Sequence, residues 1–214
     1  MKKSLQEIVR RTCGYDTDQI TANGFDRNDV FNYTSLSATG RVIANGGANY
    51  LDGGDGPDLL DSTGANSTLF GGAGNDTLQA SGGSSYLDGE EGNNTLIASG
   101  GNNELFAGSG NDILQATGGN NYLDAGDGAD TLIAHGGGNT LYGGAGNDTL
   151  FAFGGNNTLD GGEGNDDIDG QSENDTILGS AEDDVLSTIR RRWCEHSLPQ
   201  WMAAANDVEG RLRA

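Results

Sequence analysis

Between Val42 and Ile189 the sequence has no lysine and no arginine, since all 11 basic residues lie at or before Arg41 or at or after Arg190. The same stretch holds 24 of the chain's 32 Asp and Glu residues. An unscreened carboxylate array of that density repels itself and stays expanded without a counter-charge. Nucleic acid is excluded as a partner for this region, and divalent cations are the natural one. Proline is also scarce, with 2 residues against 38 glycines in 214, which excludes a proline-rich linker and collagen. No apolar run is long enough to span a membrane. The N-terminus, Met1 to Ile8, is charged and lacks a signal-peptide core, so any export is expected to be leaderless. The two cysteines, Cys13 and Cys194, flank the acidic stretch and are expected to be unpaired thiols, because a solenoid between them exceeds the disulfide reach of about 7 Å.

What the sequence does contain is repetition. The pattern GGxGxDxLx starts at Gly53, Gly71, Gly89, Ala107, Ala125, Gly143 and Gly161, with a degraded copy at Gly179. Each start follows the last by 18 residues, without insertion or deletion. A second nonapeptide, such as "ATGGNNYLD" at Ala116, fills every interval. Glycines at the early positions permit the positive φ of a tight turn. The closing triplet alternates out, in, out, with Leu or Ile in the middle. Leu60, Leu78, Leu96, Leu114, Leu132, Leu150 and Ile168 are expected to form one buried ladder. Leu51, Leu69, Leu87, Leu105, Leu123, Leu141 and Leu159 form the facing one. One 18-residue unit is thus loop, strand, loop, strand.

A period of 36 is superimposed. The last residue of the second strand runs Asp52, Phe70, Asp88, Phe106, Asp124, Tyr142, Asp160, so like charges are separated by an aromatic turn. Tyr50, Tyr86 and Tyr122 stand two residues earlier in the Asp-bearing turns.

Calcium takes six to eight oxygen ligands from carboxylates and carbonyls, which a glycine-rich turn and an Asp supply together. One loop cannot enclose the ion, whereas two loops stacked one turn apart can. With those residues in view, the repeats resemble the RTX (repeats-in-toxin, hemolysin-type) nonapeptides of secreted bacterial proteins. The resemblance spans about Ala44 to Ser187 and implies an all-β, right-handed parallel β-roll with 18 residues per turn. It further implies that position-six side chains of adjacent turns clamp Ca2+. Carried over, the metal column is Asp58, Asp76, Asn94, Asp112, Asp130, Asp148, Asp166 and Asp184, whose seven gaps could take up to about seven ions. Seven ions would reduce the −24 of the stretch to −10.

The opposite edge departs from the family, with Asn49, Ser67, Ser85, Asn103, Asn121, Asn139, Asn157 and Asp175 at position six. A one-sided roll is expected, with amide ladders holding the second edge. Residues 1–43 and 188–214 are expected to be helical or irregular caps, the first with an amphipathic segment at Ser4 to Thr12, the second basic and carrying Trp193 and Trp201. No catalytic constellation is found: His135 occupies a variable loop position, and Cys194 with His196 lacks a third partner. The chain is therefore expected to be a secreted calcium-binding module and not an enzyme. The alternative is a calcium-dependent carbohydrate-binding or adhesive module using the aromatic and Asp face, with polysaccharide or a cell surface as partner.

Overall fold

The computed structural model describes residues 41–172 and 174–187, together with the backbone of two short strands, Thr21–Asn23 and Val30–Asn32. Ser4 to Thr12, Cys13, Trp193, Cys194, His196 and Trp201 lie outside the described residues. Those described form strands and turns without a helix.

Among the described residues, nineteen strands run from β1 (Thr21–Asn23) to β19 (Val185–Ser187). The odd-numbered ones form a ten-stranded sheet and the even-numbered ones a nine-stranded sheet, each in chain order. Every pairing is parallel. Leu105 pairs with Leu87 on one side and Leu123 on the other, a step of 18 residues that repeats along both sheets. The chain is a parallel β-solenoid in which each turn contributes one strand to each sheet.

The two leucine ladders meet between the sheets, and all their members are fully buried. The strands are longer than the expected triplets. β7 (Thr77–Ser81) carries Leu78 and Ala80 inward, and Ala44, Ala98, Ala116, Ala134 and Ala152 repeat that second inward position in their own turns. The extra row thickens a core that leucine alone would leave thin.

Turn geometry explains the glycines at position four. Gly128 has φ +148°, and a Cβ placed on it would sit 1.6 Å from the carbonyl oxygen of Gly110 in the turn before. No side chain fits that stacking distance.

The solenoid begins before the repeats do. β3 (Arg41–Ala44) pairs with β5 (Leu59–Ser62), and β1 pairs with β3 through Thr21 and Arg41. β2 (Val30–Asn32) pairs with β4 (Tyr50–Asp55). The N-terminal flank thus adds strands to both sheets.

Candidate metal centre

Loops beginning at Gly53, Gly71 and their equivalents all leave the nine-stranded sheet and enter the ten-stranded one, so their position-six residues stack along one edge of the solenoid. This edge brings together every residue of the expected column. All eight, Asp58 to Asp184 with Asn94, are buried.

Each carboxylate is held from one side. The Asp58 N–H donates to Asp76 Oδ1 at 2.7 Å, Asp112 N–H to Asp130 Oδ1 at 2.7 Å, and Asp130 N–H to Asp148 Oδ1 at 2.8 Å. The Asp148 N–H reaches Asp166 Oδ1 at 2.9 Å, and Asp166 N–H reaches Asp184 Oδ1 at 3.0 Å. From Asp76 to Asp184 every side chain of the column is therefore fixed by the amide of the turn before it.

The second oxygens are different. Oδ2 of Asp76, Asp112, Asp130, Asp148, Asp166 and Asp184 is buried and accepts no hydrogen bond. Leaving a buried charged acceptor unmade costs more than an ordinary hydrogen bond contributes. Carbonyl oxygens converge on the same place. The point a Cβ would occupy on Gly71 lies 2.6 Å from Asp76 Oδ2 and 2.8 Å from the Gly89 carbonyl of the next turn. At Gly143 the corresponding distances are 2.5 Å to Asp148 Oδ2 and 2.5 Å to the Gly161 carbonyl. Hard oxygen acceptors facing one another without a proton between them are the donor set a calcium ion takes. Among the described residues no three His, Cys, Asp or Glu side chains gather at one point, so carboxylate oxygens would fit the ion only together with the backbone carbonyls of the loops.

Burial also raises the pKa values of these carboxyls. Asp76 and Asp148 are pushed up to about 6 and Asp130 to about 7, in each case chiefly by desolvation. For Asp130 the charges of Asp112, Asp148 and Asp127 add to the effect. Asp112 and Asp166 shift upward for the same leading reason. Arg41 is the one Lys or Arg among the described residues, so within them a single basic side chain stands against the acidic array.

The opposite edge is closed along most of its length by hydrogen bonds. Asn103, Asn121 and Asn139 donate from Nδ2 to the carbonyls of Gly100, Gly118 and Gly136 at 3.0, 2.9 and 2.8 Å. Their Nδ2 groups also reach Oδ1 of the next asparagine at 3.0 to 3.1 Å. Each Oδ1 accepts the backbone N–H of the turn before, as Asn121 Oδ1 does from Asn103. The expected amide ladder is present. Where Ser67 interrupts it, Ser62 replaces the inward alanine, and the two hydroxyls meet at 2.8 Å. Asp175 is the exception, with a buried Oδ2 that accepts nothing.

A second ladder was not anticipated from the sequence. Position-five asparagines on the Asp edge accept the next turn's amide: Asn93 N–H reaches Asn75 Oδ1 at 2.8 Å and Asn111 N–H reaches Asn93 Oδ1 at 2.6 Å. Asn165 N–H reaches Asn147 in the same way at 2.8 Å. These bonds pin the loops that carry the carboxylates. Their signal is the Asn before Asp in the repeat, readable only once stacking is known.

On the outer face of the nine-stranded sheet, aromatics form one continuous stripe. Tyr50, Phe70, Tyr86, Phe106, Tyr122 and Tyr142 touch in sequence, with ring centroids 5.4 to 5.8 Å apart. Tyr86 Oη donates to Asp88 at 3.0 Å, tying the tyrosines to the Asp column.

A family model described as the RTX calcium-binding nonapeptide repeat (4 copies) matches residues 41–60, 61–96, 70–105, 79–114, 97–132, 106–140, 133–168 and 169–188. Together these windows cover 41–188 continuously, which is more than half of the chain. No curated protein and no solved structure matches.

Proposed function

Because the chain belongs to the RTX calcium-binding nonapeptide repeat family, we propose that its Asp edge binds several calcium ions between stacked turns and that this binding drives the roll to fold outside the cell. The observation that carries the reading is the row of buried Oδ2 atoms without donors, set against carbonyls of the following turn. Asp58, Asp76, Asp112, Asp130, Asp148, Asp166 and Asp184 would hold the ions. Calcium supplies the positive charge and the high oxygen coordination that the edge lacks. Low cytosolic calcium would leave the chain unfolded and fit for leaderless export, and external calcium would fold it. The protein acts in this reading as a calcium-dependent structural module rather than an enzyme.

The edges are expected to respond unequally. Asp130→Ala removes a charged ligand from the middle of the column and should lower the number of bound calcium ions and weaken cooperativity. Asn121→Ala removes rungs of the amide ladder, worth about 0.5–1.5 kcal/mol each, and should leave the ion count at the wild-type value. Isothermal titration of both variants checks this. Equal loss of calcium from the two would mean that both edges bind metal.

A second reading rests on the aromatic stripe. Six rings in unbroken contact, tilted by 35 to 50° from one to the next and with carboxylates beside them, present an apolar stripe on which sugar rings could pack while hydroxyls donate to Asp88 and Asp124. The face lacks basic residues, so the polysaccharide would be neutral. Co-sedimentation with an insoluble neutral polysaccharide should require calcium and be lost in Tyr86→Ala/Tyr122→Ala. Binding that survives that double substitution would remove the stripe from consideration, and absence of binding would leave it as cover for the strands.

A further inference from the structure

Asn94 stands alone in the column. It is the neutral member between Asp58 and Asp184, and its side chain is buried like its neighbours. Each residue of this edge sends two atoms toward the neighbouring turns. The first accepts the amide of the turn before, and Asn94 keeps that role, since Asp76 N–H donates to Asn94 Oδ1 at 2.9 Å. The second atom is where it differs. In Asp76, Asp112 and Asp148 that atom is an oxygen with no hydrogen-bond partner. In Asn94 it is Nδ2, which donates to the Gly92 carbonyl of its own loop at 3.2 Å and the Ala107 carbonyl of the next turn at 3.4 Å.

The two atoms occupy equivalent places. A Cβ on Gly89 would lie 2.7 Å from Asn94 Nδ2 and 2.9 Å from the Ala107 carbonyl, against 2.6 and 2.8 Å for the matching atoms beside Gly71. The amide cannot turn over without penalty, because Nδ2 would then face the Asp76 N–H, donor against donor. So at this one step the hydrogens between the oxygens belong to the protein. The carbonyl that elsewhere lies beside a carboxylate oxygen without a donor lies here beside a neutral N–H donor.

We propose that Asn94 is not a calcium ligand but a built-in substitute for the ion at one step of the column. It divides the array into an N-terminal pair, Asp58 and Asp76, and a C-terminal run from Asp112 to Asp184, with no ion in the step it closes. The inference deepens the calcium reading above and rests on it. It has a physical benefit, since the substitution relieves one carboxylate from a crowded acidic edge while keeping the turn stacked.

Calcium titration of the full-length chain with two variants tests this. Asn94→Asp restores a donorless oxygen and should bind one more ion per chain than wild type. Asn94→Ala should bind the wild-type number of ions, yet melt at lower temperature in saturating calcium, because Gly92, Ala107 and the Asp76 N–H lose their partner. An unchanged count in Asn94→Asp, or a lower count in Asn94→Ala, overturns the proposal while leaving the calcium reading intact. Should Asn94→Asp fail to fold even in calcium, the Asn94→Ala count decides alone. A wild-type chain that binds no calcium would overturn the reading itself, and this inference with it.

Discussion

In EDTA at neutral pH the full-length chain is expected to give the far-UV circular dichroism of a mostly disordered polypeptide, and to convert to a β-rich spectrum when calcium is added in excess. Each nonapeptide buries one Leu or Ile, worth roughly 1.5–3 kcal/mol. Ordering nine backbone units costs about 1–2 kcal/mol each, and net hydrogen bonds at about 0.5–1.5 kcal/mol leave little surplus. Against that narrow balance stands the donorless carboxylate buried at Asp76 and its equivalents, which is unfavourable in every turn that has one. Pairing these oxygens with a cation would turn the same groups from a cost into a source of stability, and binding and folding would then become one transition. Magnesium should substitute poorly, because it demands a stricter octahedral shell and dehydrates reluctantly. A chain that is fully β-rich in EDTA would refute the coupling.

The architecture was legible from the sequence because stacking repeats turn a linear period into a spatial one. A spacing of 18 without insertion means that Leu60, Leu78 and Leu96 share one register, and Leu60 pairs with Leu78 and Leu78 with Leu96 in the structure. The same period places Asp112, Asp130 and Asp148 one above another. What escaped is whatever depends on how far a strand runs past its motif. Ala80 and Ala98 fall at the first loop position by pattern, yet β-structure continues through them and turns them inward. The aromatics share one strand face by pattern but fall at two different strand positions, and their ring-to-ring contact, with Tyr86 bridging Phe70 and Phe106, appears only in the stacked structure. The strands at Thr21–Asn23 and Val30–Asn32 escaped for another reason. Their partners lie 20 residues on, at Arg41 and Tyr50, outside the 18-residue period and without its glycines. The contrast between the edges was visible as Asp against Asn. The difference between an oxygen left without a donor and an amide that satisfies itself needed atoms.

Acid should replace part of the calcium requirement. Asp76 and Asp148 ionise at about 6 in the fold, and Asp130 at about 7, with desolvation as the leading cause. In the unfolded chain an aspartate ionises near 3.9. Between those limits the folded form binds more protons than the unfolded form, so metal-free stability falls as pH rises. The contribution is fully present below about pH 4 and is lost as pH climbs through about 6 to 7, where the buried carboxylates become charged without a partner. In EDTA, the β-signal should therefore grow as pH is lowered from 8 to 5, whereas a fold limited by ordinary exposed carboxylates would change little over that range. Calcium and protons then compete for the same oxygens, so calcium binding should release protons. That release should be larger at pH 6 than at pH 8, and titrations in buffers of different ionisation enthalpy read it directly. Neutralising one member of the column should extend the metal-free folded range upward: Asp130→Asn removes the group with the highest of these values and should shift the folding midpoint in EDTA to higher pH. If the EDTA spectrum stays equally disordered at pH 5 and pH 8, and no protons accompany calcium, the carboxylates are not buried as the structure places them.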